Sequence, residues 1–411
     1  MDCFSLFRNI KFLQLLYIQL FLCGIGQAIA QEQELKKGFE IYGFIKADIG
    51  YNFNQTDPNW FDVLRVTKLP QFEDQFAPDG KIYFGIRQTR LGFNNWTPTS
   101  LGQLKANFEF DLFGVGPDVG QTTFHFRRAY IELGRFTVGQ TESLFTDVDV
   151  TPNTLDFGAP PSRAFLRSIQ VRYMNVNEKV RWGLALEQPG AISDDGIYAD
   201  RIELENVKPQ FKVPDLTAQY RRFLKNGYVE VAGVLKWIKW ENTVPSPIDL
   251  SGDEIGWGFY LSTTHRLDSK TLFKGQVITG RGMENYLTDG GPDIGIENNV
   301  GDPATPLLGV SLPVIGGLVF LERSWNSKLS STVGYSAIRI DNSDAQADNA
   351  FKNGHYGIFN LLYLPVSQFQ TGVELQWGQR NNFRDDFSSS VVRIQFSCKY
   401  NFSLFLEEKG K

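Results

Sequence analysis

A chain of 411 residues with 46 acidic and 41 basic side chains carries a formal charge of −5, which excludes a nucleic-acid partner recognised through a basic face. Three cysteines supply neither a disulfide framework nor zinc-ligand spacing. Aromatic residues at 14%, with 39 glycines against three methionines, favour strands and turns over packed helices.

Arg8 and Lys11 flank an apolar run over 12–23, and Ala28-Ile29-Ala30 places small residues at a cleavage position. Residues 1–30 therefore read as a secretory signal, whose removal leaves Cys398 as the one remaining cysteine. The run is shorter than the roughly 18 residues a spanning helix needs, and no later segment reads as a spanning helix.

The next stretch, 39–53, alternates Ile41, Gly43, Ile45, Ala47, Ile49 and Tyr51 with Glu40, Lys46, Asp48 and Asn52. A period of two predicts a strand with one apolar and one polar face. A second strand over 81–96 changes phase, which predicts a bulge near Arg87. The strand over 101–113 is the cleanest, setting Leu104, Ala106, Phe108, Phe110 and Leu112 against Lys105, Asn107, Glu109 and Asp111. Strands over 121–133 and 136–141 then form a hairpin about Gly134.

Residues 142–164 form a long loop carrying Asp147, Asp149 and Asp156, punctuated by Pro152, Gly158, Pro160 and Pro161. Loops of this length inside a domain usually serve a function or are disordered. The expectation is that this one folds into a wide β-barrel, where its carboxylates face basic side chains on the wall and set the channel's width and charge. Strands follow over 165–173, 178–188, 215–224, 228–240, 254–266 and 271–282, then over 307–323, 328–340, 355–364, 369–380 and 391–402.

Sixteen strands result, with connections that alternate between short turns and longer, mostly acidic loops. That rhythm is expected of an antiparallel transmembrane barrel with one rim in the periplasm. Sixteen strands enclose too wide a lumen for side chains to fill, so the polar face lines water and the apolar face meets lipid or a neighbouring subunit. Trp96, Tyr173, Trp240, Trp257 and Trp377, near strand ends, fit interfacial girdles.

Motifs for other chemistry are absent or isolated. Asp147-Val148-Asp149-Val150-Thr151 matches an aspartate-nucleophile phosphatase pattern, but no βαβ unit surrounds it. No GxSxG occurs, and His125, His265 and His355 lie within strands away from any placed serine and carboxylate. The glycines of GVGPDVG, from Gly114, mark a turn because no helix follows, and no EF-hand spacing holds calcium. The chain is expected to be no enzyme and to need no cofactor.

The segments RLGFNNWTPTSLGQLKANFEFDLFG from Arg90, FRRAYIELGRFTVGQTESLFTDVDVTPNTLDF from Phe126 and FLRSIQVRY from Phe165 resemble the DcaP-like porins of the bacterial outer membrane. GFIKADIGYNFN at Gly43 is similar to that family's first strand. The resemblance implies a homotrimeric sixteen-stranded porin that passes small hydrophilic, preferentially anionic solutes, dicarboxylates among them. It implies Arg90, Lys105, Arg127, Arg128, Arg167 and Arg172 as the basic wall, and Asp147 and Asp149 as the acids of the constriction loop. For each arginine the alternative is neutralisation of Glu109, Asp111 and Glu132 on adjacent strands; both readings stay open. Acidic outer loops suggest lipopolysaccharide, bridged by divalent cations, as a further partner. An outer-membrane enzyme and a non-conducting adhesin or scaffold are the competing readings. Residues 403–411, SLFLEEKGK, extend past the aromatic terminus, Phe402, on which such chains commonly end.

Overall fold

The computed structural model describes residues 35–158 and 160–407; the expected signal, 1–30, lies outside them. Among the described residues there is no α-helix, only single 3-10 turns between strands. In chain order the strands are β1 (Gly38–Asn52), β2 (Lys81–Gly85), β3 (Arg90–Thr99), β4 (Gly102–Phe113), β5 (Thr122–Leu133), β6 (Phe136–Glu142) and β7 (Arg167–Val176). They continue as β8 (Val180–Glu187), β9 (Val207–Pro209), β10 (Asp215–Leu224), β11 (Gly227–Asn242), β12 (Gly252–Arg266) and β13 (Thr271–Arg281). The last seven are β14 (Ile294–Asn298), β15 (Leu307–Ser311), β16 (Pro313–Ser324), β17 (Leu329–Ile340), β18 (Phe351–Val366), β19 (Phe369–Asn382) and β20 (Ser388–Glu407).

Each strand pairs antiparallel with its neighbour, and β1 pairs with β20 along its whole length, from Gly38↔Glu407 to Asn52↔Arg393, so the sheet closes. The barrel has sixteen staves. Two are interrupted: β2 and β3 both pair with β1, and β9 continues the pairing of β11 beyond the end of β10. The first interruption is the phase change at Arg87. There the side chain turns inward, its Nε donating to Asp62 at 2.9 Å, and lies between the rings of Phe61 and Phe113.

The strand read over 307–323 is two strands. Pro313 has no N–H for a ladder, and before it 307–311 fold back on β14 as a separate hairpin. The last strand runs five residues past Phe402, pairing Ser403–Glu407 with Tyr42–Gly38.

The two faces are inverted relative to a soluble barrel. Ile45, Ile49, Ile82 and Phe84 are 43–66% exposed, whereas Lys46, Asp48 and Asn52 on the alternating positions are at most 6% exposed. The interior is not wholly polar, however. Inward residues of β12, β13, β16 and β18, including Tyr260, Ile278, Phe320 and Tyr356, pack against Leu64, Phe145 and Val150 from loops. One side of the barrel therefore contains a dry apolar core beneath its loops, which the expectation of a water-lined interior did not include. Trp240 also departs from the girdle reading: its parity is that of buried Ile238, and its ring lies against Gly252 and Gly309.

Candidate functional site

Strands β3, β4 and β5 place the first cluster of charges. Glu109 and Asp111 occupy alternate inward positions of β4, opposite β5. Alternation alone would send Arg127 and Arg128 to opposite faces. A β-bulge resolves this: Glu109 pairs with Arg128 and Phe110 with Phe126, so Arg127 is the extra residue and both guanidiniums reach Glu109. Arg127 donates to Glu109 at 2.8 Å and to Asp111 at 2.6 Å. Arg128 lies 3.4 Å from Glu109 and grips Glu142 at 2.6 Å.

Arg90 stands farther from its acids, at 3.8 Å from Glu109 and 4.0 Å from Asp111. Arg167 lies over the Phe165 ring at 5.1 Å. Lys105 lies 5.6 Å from the ring of Tyr130, and Arg172 donates to the Glu142 carbonyl at 3.3 Å.

The loop between β6 and β7 is anchored to the polar faces of strands on the other side of the barrel. Asp147 accepts from Arg221 Nη2 at 2.7 Å, Tyr228 Oη at 2.8 Å and Ser262 Oγ at 2.6 Å, on β10, β11 and β12. Asp149 accepts from the same Arg221 at 2.5 Å. Neither predicted loop acid meets a predicted basic residue; their shared cation, Arg221, was not singled out from the sequence.

Farther along, Glu374 of β19 accepts the amides of Leu155 and Asp156 at 2.7 and 2.9 Å, and Lys46 of β1 donates to the Leu155 carbonyl at 2.6 Å. Lys274 donates to the Thr151 carbonyl at 2.6 Å, and Gln276 accepts from the Ala164 amide at 3.0 Å. Burial pushes the Asp156 carboxyl up from its usual value, with Tyr356 donating to it at 3.2 Å. Burial also lowers Arg163 to about 10, which leaves it cationic at neutral pH.

Between this loop and the wall of β1, β3, β5 and β20 lies a cavity of about 430 Å³. Lys46, Arg90, Arg127, Arg167 and Lys399 border it from the barrel, and Arg65 and Arg163 from loops. The one carboxylate on its boundary is Asp156, which is 3% exposed. Arg90, Arg127 and Arg167 are thus brought together, while Lys105, Arg128 and Arg172 lie off this cavity. Lys46 and Lys399, missed as site residues, are cross-strand partners at the β1–β20 seam. Their placement on the polar face of both strands was the available signal.

The profile of the DcaP outer membrane protein family matches residues 26–286. A search of curated proteins returned no match. The crystal structure of the outer membrane channel DcaP of Acinetobacter baumannii superposes with a TM-score of 0.75 at 20% identity, covering 91% of this chain and all of that one. An anion-selective porin from Comamonas acidovorans matches at 0.53 and 10% identity, over 89% and 99% of the two chains. The trimer form of OmpT from Vibrio cholerae matches at 0.52 and 13%, over 89% and 100%.

Proposed function

The chain belongs to the DcaP outer membrane protein family, a porin of the bacterial outer membrane, and from that premise we propose a passive diffusion channel selective for small hydrophilic anions. Dicarboxylates fit the same reading, because two carboxylates can engage separate cations of one wall. In this reading the loop over 142–164 narrows the path, three copies assemble as a trimer, and the acidic outer loops meet lipopolysaccharide.

The observation that carries the reading is the charge on the lining of the 430 Å³ cavity. Lys46, Arg65, Arg90 and Arg127 are paired with acids set behind the lining, whereas Arg163, Arg167 and Lys399 have no carboxylate at ion-pair distance among the described residues. The one carboxylate on the boundary, Asp156, is buried. Fixed charges of one sign in a narrow aqueous gap with low-dielectric walls concentrate counter-ions there. Arginine suits the task because it stays protonated and can bind a carboxylate through two parallel hydrogen bonds. The loop acids Asp147 and Asp149 do not line this cavity and are drawn instead to Arg221 on β10.

Planar-bilayer recording across a salt gradient tests it. Stepwise conductance with an anion-selective zero-current potential is expected, shifting toward cations when Arg127 and Arg128 are both replaced by Ala. A cation-selective wild type, or no shift in the double variant, would dispose of the assignment.

A further inference from the structure

The short turns and both described chain ends gather on one rim, and the long loops on the other. In an outer-membrane barrel the short-turn rim faces the periplasm. Four successive turns of that rim each carry one exposed lysine: Lys179 between β7 and β8, Lys225 between β10 and β11, Lys270 between β12 and β13, and Lys328 between β16 and β17. None of these four ammonium groups has an ion-pair partner among the described residues. Two of the turns also carry an exposed acid, Glu178 and Asp268, the latter paired with Arg323, and exposed Arg222 and Arg266 at the adjoining strand ends keep the arc net positive.

Three of the turns share one construction, an Asx residue two positions before the lysine. Asn177 Oδ1 accepts the amides of Lys179 and Val180, both at 2.9 Å. Asp268 Oδ1 accepts those of Lys270 and Thr271 at 2.6 and 2.8 Å. Asn326 Oδ1 accepts those of Lys328 and Leu329 at 2.8 and 2.9 Å. Such a turn needs the Asx side chain and places no demand on the residue type at the third position. The fourth turn is built differently, with Lys225 before Asn226, and carries a lysine as well. The turn geometry therefore does not account for the lysines.

Neighbouring turns are two staves apart, so adjacent tips are separated by roughly 12 Å once strand tilt is included. That exceeds the Debye length of about 8 Å at physiological salt, so the arc attracts an extended polyanion far better than it does one small ion. The tips also project past the outward aromatic group of Phe136, Tyr173 and Trp182, whereas exposed Arg222 and Arg266 sit within strands, nearer lipid headgroups.

We propose that this lysine arc is a docking surface for peptidoglycan, whose peptide stems present carboxylates in series along an extended polymer. The proposal rests on the orientation of the barrel and is independent of its ion selectivity.

The test is co-sedimentation of the detergent-solubilised full chain with purified sacculi. The wild type is expected to pellet in a salt-sensitive manner. A variant carrying Lys179→Gln, Lys225→Gln, Lys270→Gln and Lys328→Gln should lose at least about nine-tenths of that binding while keeping wild-type conductance and the heat-dependent gel shift of a folded barrel. The corresponding four Lys→Arg changes should retain binding. Failure of the wild type to pellet, or unaltered pelleting of the Gln variant, would overturn the proposal. Retention on phosphatidylglycerol-coated beads with none on sacculi would also overturn it.

Discussion

Charged side chains in this wall differ in how completely their neighbours neutralise them, and that difference fixes what a substitution does. Arg128 is bound to Glu142 at 2.6 Å, while Arg167 has no carboxylate at ion-pair distance among the described residues. Removing Arg167 deletes a cation that borders the cavity; removing the charge of Glu142 takes the nearer carboxylate from Arg128, just off the cavity, and leaves the wall more positive. At about 8 Å from the ion path in a water-like medium, one charge shifts a monovalent anion and cation by roughly 0.5 kcal/mol in opposite directions, and screening over about one Debye length cuts the difference to roughly 0.4 kcal/mol, or about a twofold change in permeability ratio. Arg167→Ala should therefore lower the anion-to-cation permeability ratio by about a factor of two, and Glu142→Gln should raise it by a similar factor. Zero-current potentials in a salt gradient check both signs, and shifts of equal sign would refute the electrostatic account. Adjacent Arg127 and Arg128 were visible as a basic pair in the sequence. That both reach Glu109 was not, because it depends on a bulge whose register is set by β4.

Strands and loops were unequally legible. Alternation marked all sixteen staves, since a residue's face follows from parity, and the phase change at Arg87 appears as a real interruption. The course of the long loop was less readable because its anchors come from strands far along the chain. Asp147 is held by Arg221, Tyr228 and Ser262, and removing one partner from a buried charged network typically costs about 3–5 kcal/mol. Asp147→Ala should concentrate that loss in the loop, because no strand ladder passes through residue 147. The expected result is faster proteolysis within 143–166 and noisier single-channel current, with the barrel's heat-dependent gel shift retained. Unchanged protease protection would show that the apolar packing of Phe145 and Val150 holds the loop without its carboxylate.

At the scale of the whole molecule, the inverted faces were predictable and the internal apolar core was not. Parity identifies which residues of β13 and β16 point inward, but nothing local indicates that Ile278 and Phe320 will be covered by loops. Closure is likewise a property of the whole chain, made by β1 and β20 from opposite ends of the sequence. In a membrane every backbone group needs an internal partner, and an unpaired edge invites pairing with another chain. The residues after Phe402 contribute to this closure. Ser403–Glu407 pair with Gly38–Tyr42, which on its other flank pairs with β3. A chain ending at Phe402 would strip one side of that segment over five residues. With a net contribution of roughly 0.5–1.5 kcal/mol for each ladder hydrogen bond lost, the deficit is several kcal/mol at the periplasmic rim. The truncated chain should still reach the folded gel mobility, but convert to the unfolded form at a lower temperature and refold more slowly into detergent. An unshifted transition would mean that the seam from Gly43 to Asn52 closes the barrel unaided.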